Sequence, residues 1–331
     1  METMIKVGII GFGKMGRIRH EAVNQSGQGC VVAIADADRI PNVANIRGYA
    51  SPDALIEDPE VEAIFVCTPT YLHKPLTIRA LQAGKHVFCE KAPTFTASEM
   101  EEVIAVEQTS NGKKLMYGFN HRHHDSMIKA KQLVDSGGCG RILWMRGRYG
   151  KSVDQSFYNN WRAKKELAGG GIMMDQGIHM LDLFLMMAGD FDEVHALVSN
   201  LYWKLDVEDN VFATFRNKDE LVASLHSTMT QWRHLFSFEI FLEKGYIVIN
   251  GLLTSSGTYG EEAMTIAANR TTSPAATWTD EEHIRFHVDN SWRYEVDHFF
   301  GAIREDEPVK VGTSLDALKL MRVMDKIYQN S

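Results

Sequence analysis

The turn Gly11-Phe12-Gly13-Lys14-Met15-Gly16 constrains this 331-residue chain more than any other feature. It follows a short β-branched run at residues 5–10 (IKVGII) and precedes a helical pattern through Ile18, His20 and Val23. In that setting the glycines have separate roles. Gly11 permits the tight turn, Gly13 lets a pyrophosphate approach the backbone, and Gly16 lets the helix pack on the strand. The phosphates then meet the positive end of the helix. The next strand, residues 31–35 (VVAIA), ends at Asp36, about 20 residues past the glycines, where a carboxylate binds ribose hydroxyls. Strand, glycines, helix, strand and acid in register predict a dinucleotide site. The alternative is an ordinary βαβ turn.

The strand–helix alternation continues. Residues 61–67 (VEAIFVC) read as a buried strand that ends in Thr68-Pro69-Thr70 and His73. A helix through Leu76, Ile78, Ala80 and Leu81 stops at Gly84, and the strand at 86–89 (HVFC) runs into Glu90-Lys91-Ala92-Pro93. A helix at 98–108 and a strand at 114–119 complete the pattern, with Asn120 at the strand's end. Such alternation predicts an α/β Rossmann domain, a doubly wound parallel sheet over residues 1–121. Ligands of such sheets bind at the carboxyl ends of the strands, where Thr68, Pro69, Thr70, His73, Glu90, Lys91 and Asn120 fall.

A change of character begins at Asn120-His121-Arg122-His123-His124-Asp125. Consecutive histidines rarely converge on one ion, so lining a cleft suits them better than holding a metal. A helix at 126–134 is followed by a strand at 141–149 (RILWMRGRY), whose alternation puts Trp144, Arg146 and Arg148 on one face. Further strands are expected at 193–198, 210–215, 221–228, 236–242 and 246–250, a loop with weak strands at 253–277, and helices at 292–303 and 314–328. Runs of strands without crossovers predict an α+β domain over 122–331, built on a mainly antiparallel open sheet.

Within this half, residues 167–182 (LAGGGIMMDQGIHMLD) combine a glycine run, read as a flexible lead-in, with a mostly apolar helix. Asp175, His179 and Asp182 at i, i+4 and i+7 share one helical face. Asp175 and His179 form either a buried hydrogen-bonded pair or a catalytic one. A metal site is not favoured, because no second histidine or cysteine stands at ligand spacing nearby.

Composition narrows the classes. A formal charge of −8 argues against a nucleic-acid partner. No apolar run approaches the roughly 20 residues that cross a bilayer, and the amino terminus has no signal-peptide pattern. Scattered Cys30, Cys67, Cys89 and Cys139 read as reduced thiols of a cytoplasmic protein.

Taken in order, the glycine turn, Asp36, Thr68-Pro69, Glu90-Lys91 and the Asp175…His179 helix resemble the Gfo/Idh/MocA family of nicotinamide-dependent oxidoreductases. That family includes glucose–fructose oxidoreductase and inositol dehydrogenases, and the likeness covers essentially the whole chain. Its members usually read Glu-Lys-Pro; here the proline stands one place later, after Ala92. The resemblance implies that Lys91 meets both the substrate hydroxyl and the nicotinamide end of the cofactor. It implies substrate contacts from His121, Arg122, Trp161, Arg162, Trp232 and His234 as well. The two tryptophans are equally readable as core, and the two arginines as partners in structural ion pairs. In the family the outer face of the open sheet packs on another subunit, which implies a homodimer or homotetramer. The Trp144/Arg146/Arg148 face serves that contact, lines the substrate site, or is solvated.

The reading is a dehydrogenase that moves hydride between NAD and a hydroxyl-bearing carbon of a sugar or cyclitol. His179 is the base, Asp175 orients it, and Lys91 stabilises the alkoxide-like oxygen, in a cleft between the two domains. A sugar acid or nucleotide sugar is the alternative substrate. A hydrophobic ring such as a dihydrodiol is another, and a non-catalytic regulator is the alternative of a different class. NAD is expected over NADP because Asp36 repels a 2′-phosphate. Asp38 adds to that repulsion, and Arg39 is the nearest cation.

Overall fold

The computed structural model describes residues 4–37, 43–269 and 272–329. It divides into two units, Met1–Asn120 with Ser291–Arg322, and His121–Asn290 with Val323–Ser331.

The first unit carries six strands: β1 (Ile5–Ile10), β2 (Gly29–Ala35), β3 (Arg47–Tyr49), β4 (Ala63–Val66), β5 (His86–Glu90) and β6 (Leu115–Gly118). All pair in parallel, in the order β3-β2-β1-β4-β5-β6. This is the doubly wound dinucleotide-binding order, with the reversal at β1/β4. The helices are α1 (Lys14–Ser26), α2 (Pro52–Ile56), α3 (His73–Gln82) and α4 (Ala97–Glu107). Thr96 caps α4 by accepting the Glu99 amide at 3.2 Å. Strands β4 and β6 are apolar, as a sheet covered on both faces requires: every residue of both is buried.

Residues 291–322 were expected in the second domain; they belong to the first unit. Val296, Phe299 and Phe300 of the helix at Ser291–Arg304 are fully buried, and Phe299 meets Phe65 and Phe88 edge-on at 5.7 Å each. An amphipathic stripe requires an apolar partner without saying which core supplies it, so the pattern could not reveal this placement.

In the second unit α5 (Asp125–Asp135) leads into β7 (Ile142–Ser152). The short α6 (Lys165–Ala168) and a π-helical turn, Met173–Gly177, precede α7 (Ile178–Ala188). Then come β8 (Glu193–Ser199), β9 (Asn210–Arg216), β10 (Val222–Thr228), β11 (Thr230–Leu242), β12 (Gly245–Asn250), β13 (Glu262–Ala268) and β14 (Glu282–Phe286). The chain closes with α8 (Ser291–Arg304), of the first unit, and α9 (Ser314–Gln329), which is divided between the two units after Arg322. The eight strands form one sheet in the order β14-β13-β12-β11-β7-β10-β9-β8. It is antiparallel except for the parallel β7–β10 pair. The stretch expected to hold weak strands contains β13, and β14, which was not expected, pairs beside it.

One face of this sheet takes α7. At Gly147 of β7 a Cβ would lie 2.4 Å from Met180 Cγ and 2.9 Å from Phe184 Cζ, so only glycine admits the helix this close. The opposite face carries Trp144, stacked on Phe241 at 4.0 Å, and Arg146, bonded to Glu239. Phe212 is half exposed there, stacked on His226 at 3.9 Å.

Candidate active site

In the first unit the three turn glycines prove sterically distinct. Gly11 has φ +88°, and a Cβ there would lie 2.9 Å from the Cys67 carbonyl. At Gly16 a Cβ would meet the Gly11 oxygen at 2.1 Å, whereas at Gly13 it would meet nothing within 4 Å. Gly13 is also the N-cap of α1, and no side chain caps that helix end. Its first-turn amides therefore face an open cradle that a pyrophosphate fits. Phe12, Lys14 and Met15 complete the turn, and the Phe12 amide donates to Asp36 Oδ2 at 2.6 Å. That bond places the Asp36 carboxylate beside the cradle, where a ribose diol can donate to it. Asp38 and Arg39 lie outside the described residues.

The ligand ends of β4 and β5 are tied together by His73. Its Nε2 lies 2.8 Å from the Thr68 oxygen and its Nδ1 2.7 Å from the Ala92 oxygen. Burial pushes the His73 pKa down, while the two carbonyls pull it up. Expected as a cofactor contact, its ring joins the Thr68 carbonyl to the carbonyl of Ala92, the residue that follows the cis Lys91–Ala92 peptide. Glu90 is likewise engaged inward: Arg19 Nε donates to it at 2.6 Å, and the same guanidinium meets Glu295 at 2.6 Å. Gly118 leaves room for the pair, since a Cβ there would lie 3.0 Å from Arg19 Nη2. Glu90 thus anchors the strand end from which Lys91 departs. Asn120, buried, opens the 3₁₀ turn Asn120–His123.

In the second unit the His121 and His179 rings stack, with centroids 3.8 Å apart and planes 20° apart. Both are buried. His121 Nε2 lies 2.9 Å from the Tyr149 hydroxyl. Tyr259 packs edge-on against Tyr149 at 5.3 Å and donates to Gln176 Oε1 at 3.2 Å. Burial raises the pKa of both phenols, so both stay neutral hydrogen-bonding groups. His234 joins the cluster edge-on to Tyr259 at 4.9 Å.

Asp175 sits in the π turn and is held by two cations, Lys151 at one oxygen and Arg162 Nε at the other at 3.3 Å. Trp161 supports Arg162, whose guanidinium lies 4.4 Å from the ring centroid. Asp182 accepts from Arg122 Nε at 2.8 Å and Nη2 at 2.6 Å in a buried bidentate pair. For Arg122 the ion-pair reading describes the geometry, whereas Arg162 keeps about a third of its side chain exposed.

The glycine run before the helix is not a flexible lead-in. A Cβ at Gly170 would lie 2.2 Å from the Tyr328 hydroxyl, and one at Gly171 would lie 2.1 Å from the Glu208 oxygen. Glu208 accepts from the Gly171 amide at 2.8 Å, the Met173 amide at 3.0 Å and Tyr328 at 2.9 Å. It caps the π turn that carries Asp175.

Trp232 and His234 lie in a bulge. Thr230 pairs with Ser152 and Leu235 with Gly150, so residues 231–234 all stand opposite Lys151. Bulges of this kind re-aim side chains at the rims of sites. Trp232 is 83% exposed, which removes its core reading.

Lys151, Tyr149, Tyr259 and Glu208 were missing from the sequence-derived set. The signal for Lys151 was there: it lies two residues beyond Tyr149 and shares its face, but the expected strand ended too early. Among the described residues no group of three or more His, Cys, Asp or Glu side chains could hold a metal ion.

The first unit thus carries a doubly wound nucleotide-binding sheet, and the second carries the His121–His179 stack and the Lys151–Asp175–Arg162 ion pairs. Residues 5–119 match the model described as the oxidoreductase family with an NAD-binding Rossmann fold, and residues 127–248 match the Gfo/Idh/MocA C-terminal domain. The chain belongs to the Gfo/Idh/MocA family, and its first unit is an NAD-binding domain.

It is 28% identical to levoglucosan dehydrogenase of Pseudarthrobacter phenanthrenivorans over 66% of this chain and 64% of that protein. It is 28% identical to myo-inositol 2-dehydrogenase of Thermotoga maritima over 73% and 74%. The first of these alignments thus spans less than two thirds of the relative's length. A levoglucosan dehydrogenase solved with NADH and levoglucosan shares the fold with a TM-score of 0.86, at 24% identity, over 99% of this chain and 97% of that one.

Proposed function

We propose that the protein is an NAD-dependent dehydrogenase of a polyhydroxylated ring, a sugar or cyclitol. The observation that carries this is the His121–His179 stack in a buried polar cluster of neutral hydrogen-bonding groups. Each buried hydroxyl of a substrate needs a partner, and such a cluster supplies several. The relatives named for levoglucosan and myo-inositol support the same class.

NAD, when bound, supplies the hydride acceptor. The protein holds the carbinol and moves its proton. His179 takes the hydroxyl proton, since an imidazole titrates near neutral pH. Asp175, fixed by its two cations, accepts a neighbouring substrate hydroxyl and orients the ring. Lys91 stabilises the oxygen that becomes alkoxide-like. In the reverse direction the same groups exchange their protons.

The exposed aromatic face around Trp144 and Phe212 supports association of two or four copies through the second sheet, and the four free cysteines support a reducing, cytoplasmic setting. No helix of the described residues is long and apolar enough to cross a membrane.

The experiment is a panel of neutral sugars, inositols, sugar acids and nucleotide sugars, scored by reduced-cofactor absorbance, with His179→Ala alongside. Turnover on at least one polyol, lowered roughly 10²- to 10⁴-fold by the substitution, is expected. Undiminished turnover in His179→Ala, or none on any polyol, would remove the reading.

A further inference from the structure

We propose that Lys151 is a substrate-contacting residue which, with Arg162, selects polyhydroxylated substrates that bear an anionic group, a carboxylate or a phosphate ester. The inference rests on the dehydrogenase reading and narrows its substrate class.

Lysine is almost never this buried unless paired, and Lys151 is only 8% exposed. Its pairing is unusual in kind. Lys151 and Arg162 share one carboxylate, Asp175, and a single negative charge cannot offset both. Asp182, the carboxylate further along α7, is already balanced by its bidentate contact with Arg122. The ammonium of Lys151 also lies 4.7 Å from the Phe157 ring centroid, on a wall that lowers the local polarity. Excess positive charge beside partly desolvated apolar surface attracts an anion more strongly than the same charge in open water.

The backbone is shaped for access at this point. Lys151 is the single residue facing the four-residue bulge at 231–234, so β11 leaves the ladder where Lys151 stands. The bulge carries exposed Trp232 and half-buried His234. Arg162 keeps about a third of its side chain in solvent, and Asn160 fixes its backbone by accepting the Arg162 amide at 3.0 Å. A planar guanidinium with spare donors beside an ammonium matches carboxylate or phosphate oxygens.

The test compares a neutral hexose, its uronate and its 6-phosphate in wild type, Lys151→Met and Lys151→Arg, with NADH affinity as a control for an intact first unit. One of the two anions should be preferred over the neutral sugar in kcat/KM, and which one identifies the group. Lys151→Met should raise KM for that anion roughly 10- to 100-fold more than for the neutral sugar, the range for losing a hydrogen bond to a charged group. Lys151→Arg should recover most of the loss. If Lys151 only orients Asp175, kcat falls equally on all substrates and the KM split is absent, which overturns the inference and leaves the dehydrogenase reading standing. A neutral sugar preferred over both anions does the same. Absence of turnover on every polyol, with NADH binding retained, overturns the dehydrogenase reading and this inference with it.

Discussion

Gly13 and Gly16 stand three residues apart in one turn, yet the structure assigns opposite consequences to giving each a methyl group. At Gly13 the backbone is at φ −70°, ψ −154°, which an L-residue adopts, and no heavy atom lies within 4 Å of the added carbon. Gly13→Ala should therefore fold normally. By restricting the unfolded chain it should gain about 0.4–1 kcal/mol, roughly 1–4 °C in Tm for a unit of this size. The open space is the cradle assigned to the pyrophosphate, so the methyl should displace the phosphate from the α1 amides. Losing charge-assisted hydrogen bonds of about 1.5–3 kcal/mol weakens NADH roughly 10- to 100-fold.

Gly16→Ala puts its carbon 2.1 Å from the Gly11 oxygen and 3.1 Å from the Gly11 carbon. Those atoms are backbone and cannot rotate away. Helix and turn must separate, at a cost in the overpacking range of about 1–3 kcal/mol or more, so Tm falls. Thermal unfolding and NADH fluorescence titration of both variants give the two readouts. Tight NADH binding by Gly13→Ala would refute the assignment of the cradle to the pyrophosphate, and unchanged stability in Gly16→Ala would refute the steric argument.

Other outcomes follow from single contacts. NADH should bind more tightly than NADPH at one ionic strength, because Asp36 lies beside the cradle, and Asp36→Asn should narrow the gap; tighter NADPH binding contradicts the role given to Asp36. Glu208→Ala strands three donors at the start of the π turn and should lower stability by about 3 kcal/mol, with Glu208→Gln, which still accepts, losing less in thermal unfolding. His86 accepts the Lys114 amide at Nδ1, and burial pushes its pKa from 6.5 to about 4. Being depressed in the folded state, it contributes stability that is full above pH 6.5 and lost as the pH falls towards about 4. The stability difference between wild type and His86→Asn, which keeps an acceptor but does not titrate, should therefore shrink or reverse between pH 7 and 4.5 in urea titrations; a pH-independent difference contradicts it.

Legibility in the sequence followed the range of the interaction. The glycine turn was readable because Gly11 and Gly16 answer local steric demands while Gly13 leaves the space before α1 clear, and Asp36 because its distance from the turn is fixed by one helix and one strand. Strand faces were readable wherever alternation held, as for Trp144 and Arg146. Residues 291–322 were misplaced because the partner of the Val296, Phe299 and Phe300 stripe lies more than 200 positions away, in Phe65 and Phe88. The Gly169–Gly171 run was read as flexible because glycine looks alike whether it loosens a chain or lets Glu208 and Tyr328 come close. Only the packing distinguishes the two.

The departures from regular structure converge on the candidate site. At the start of the helix the sequence supports uniform α-helical spacing, with Asp175 and His179 one turn apart. The structure widens the turn at Met173–Gly177 into a π-helix capped by Glu208, so that Asp175 meets Lys151 and Arg162 while His179 stacks on His121. Across from it, β11 abandons its register for four residues, also beside Lys151. A π turn gives up part of the α-helical hydrogen-bond register and a bulge interrupts a ladder, so each costs stability that regular structure would keep. Two such departures meeting at one lysine–aspartate pair match the expectation that local rules break where function requires a particular geometry. Removing the π turn by deleting one residue between Met173 and Gly177 should realign Asp175 with the α7 register and separate it from Lys151. The deletion variant should keep NADH binding and lose turnover. A variant that still turns over at the wild-type rate would show the irregularity to be incidental.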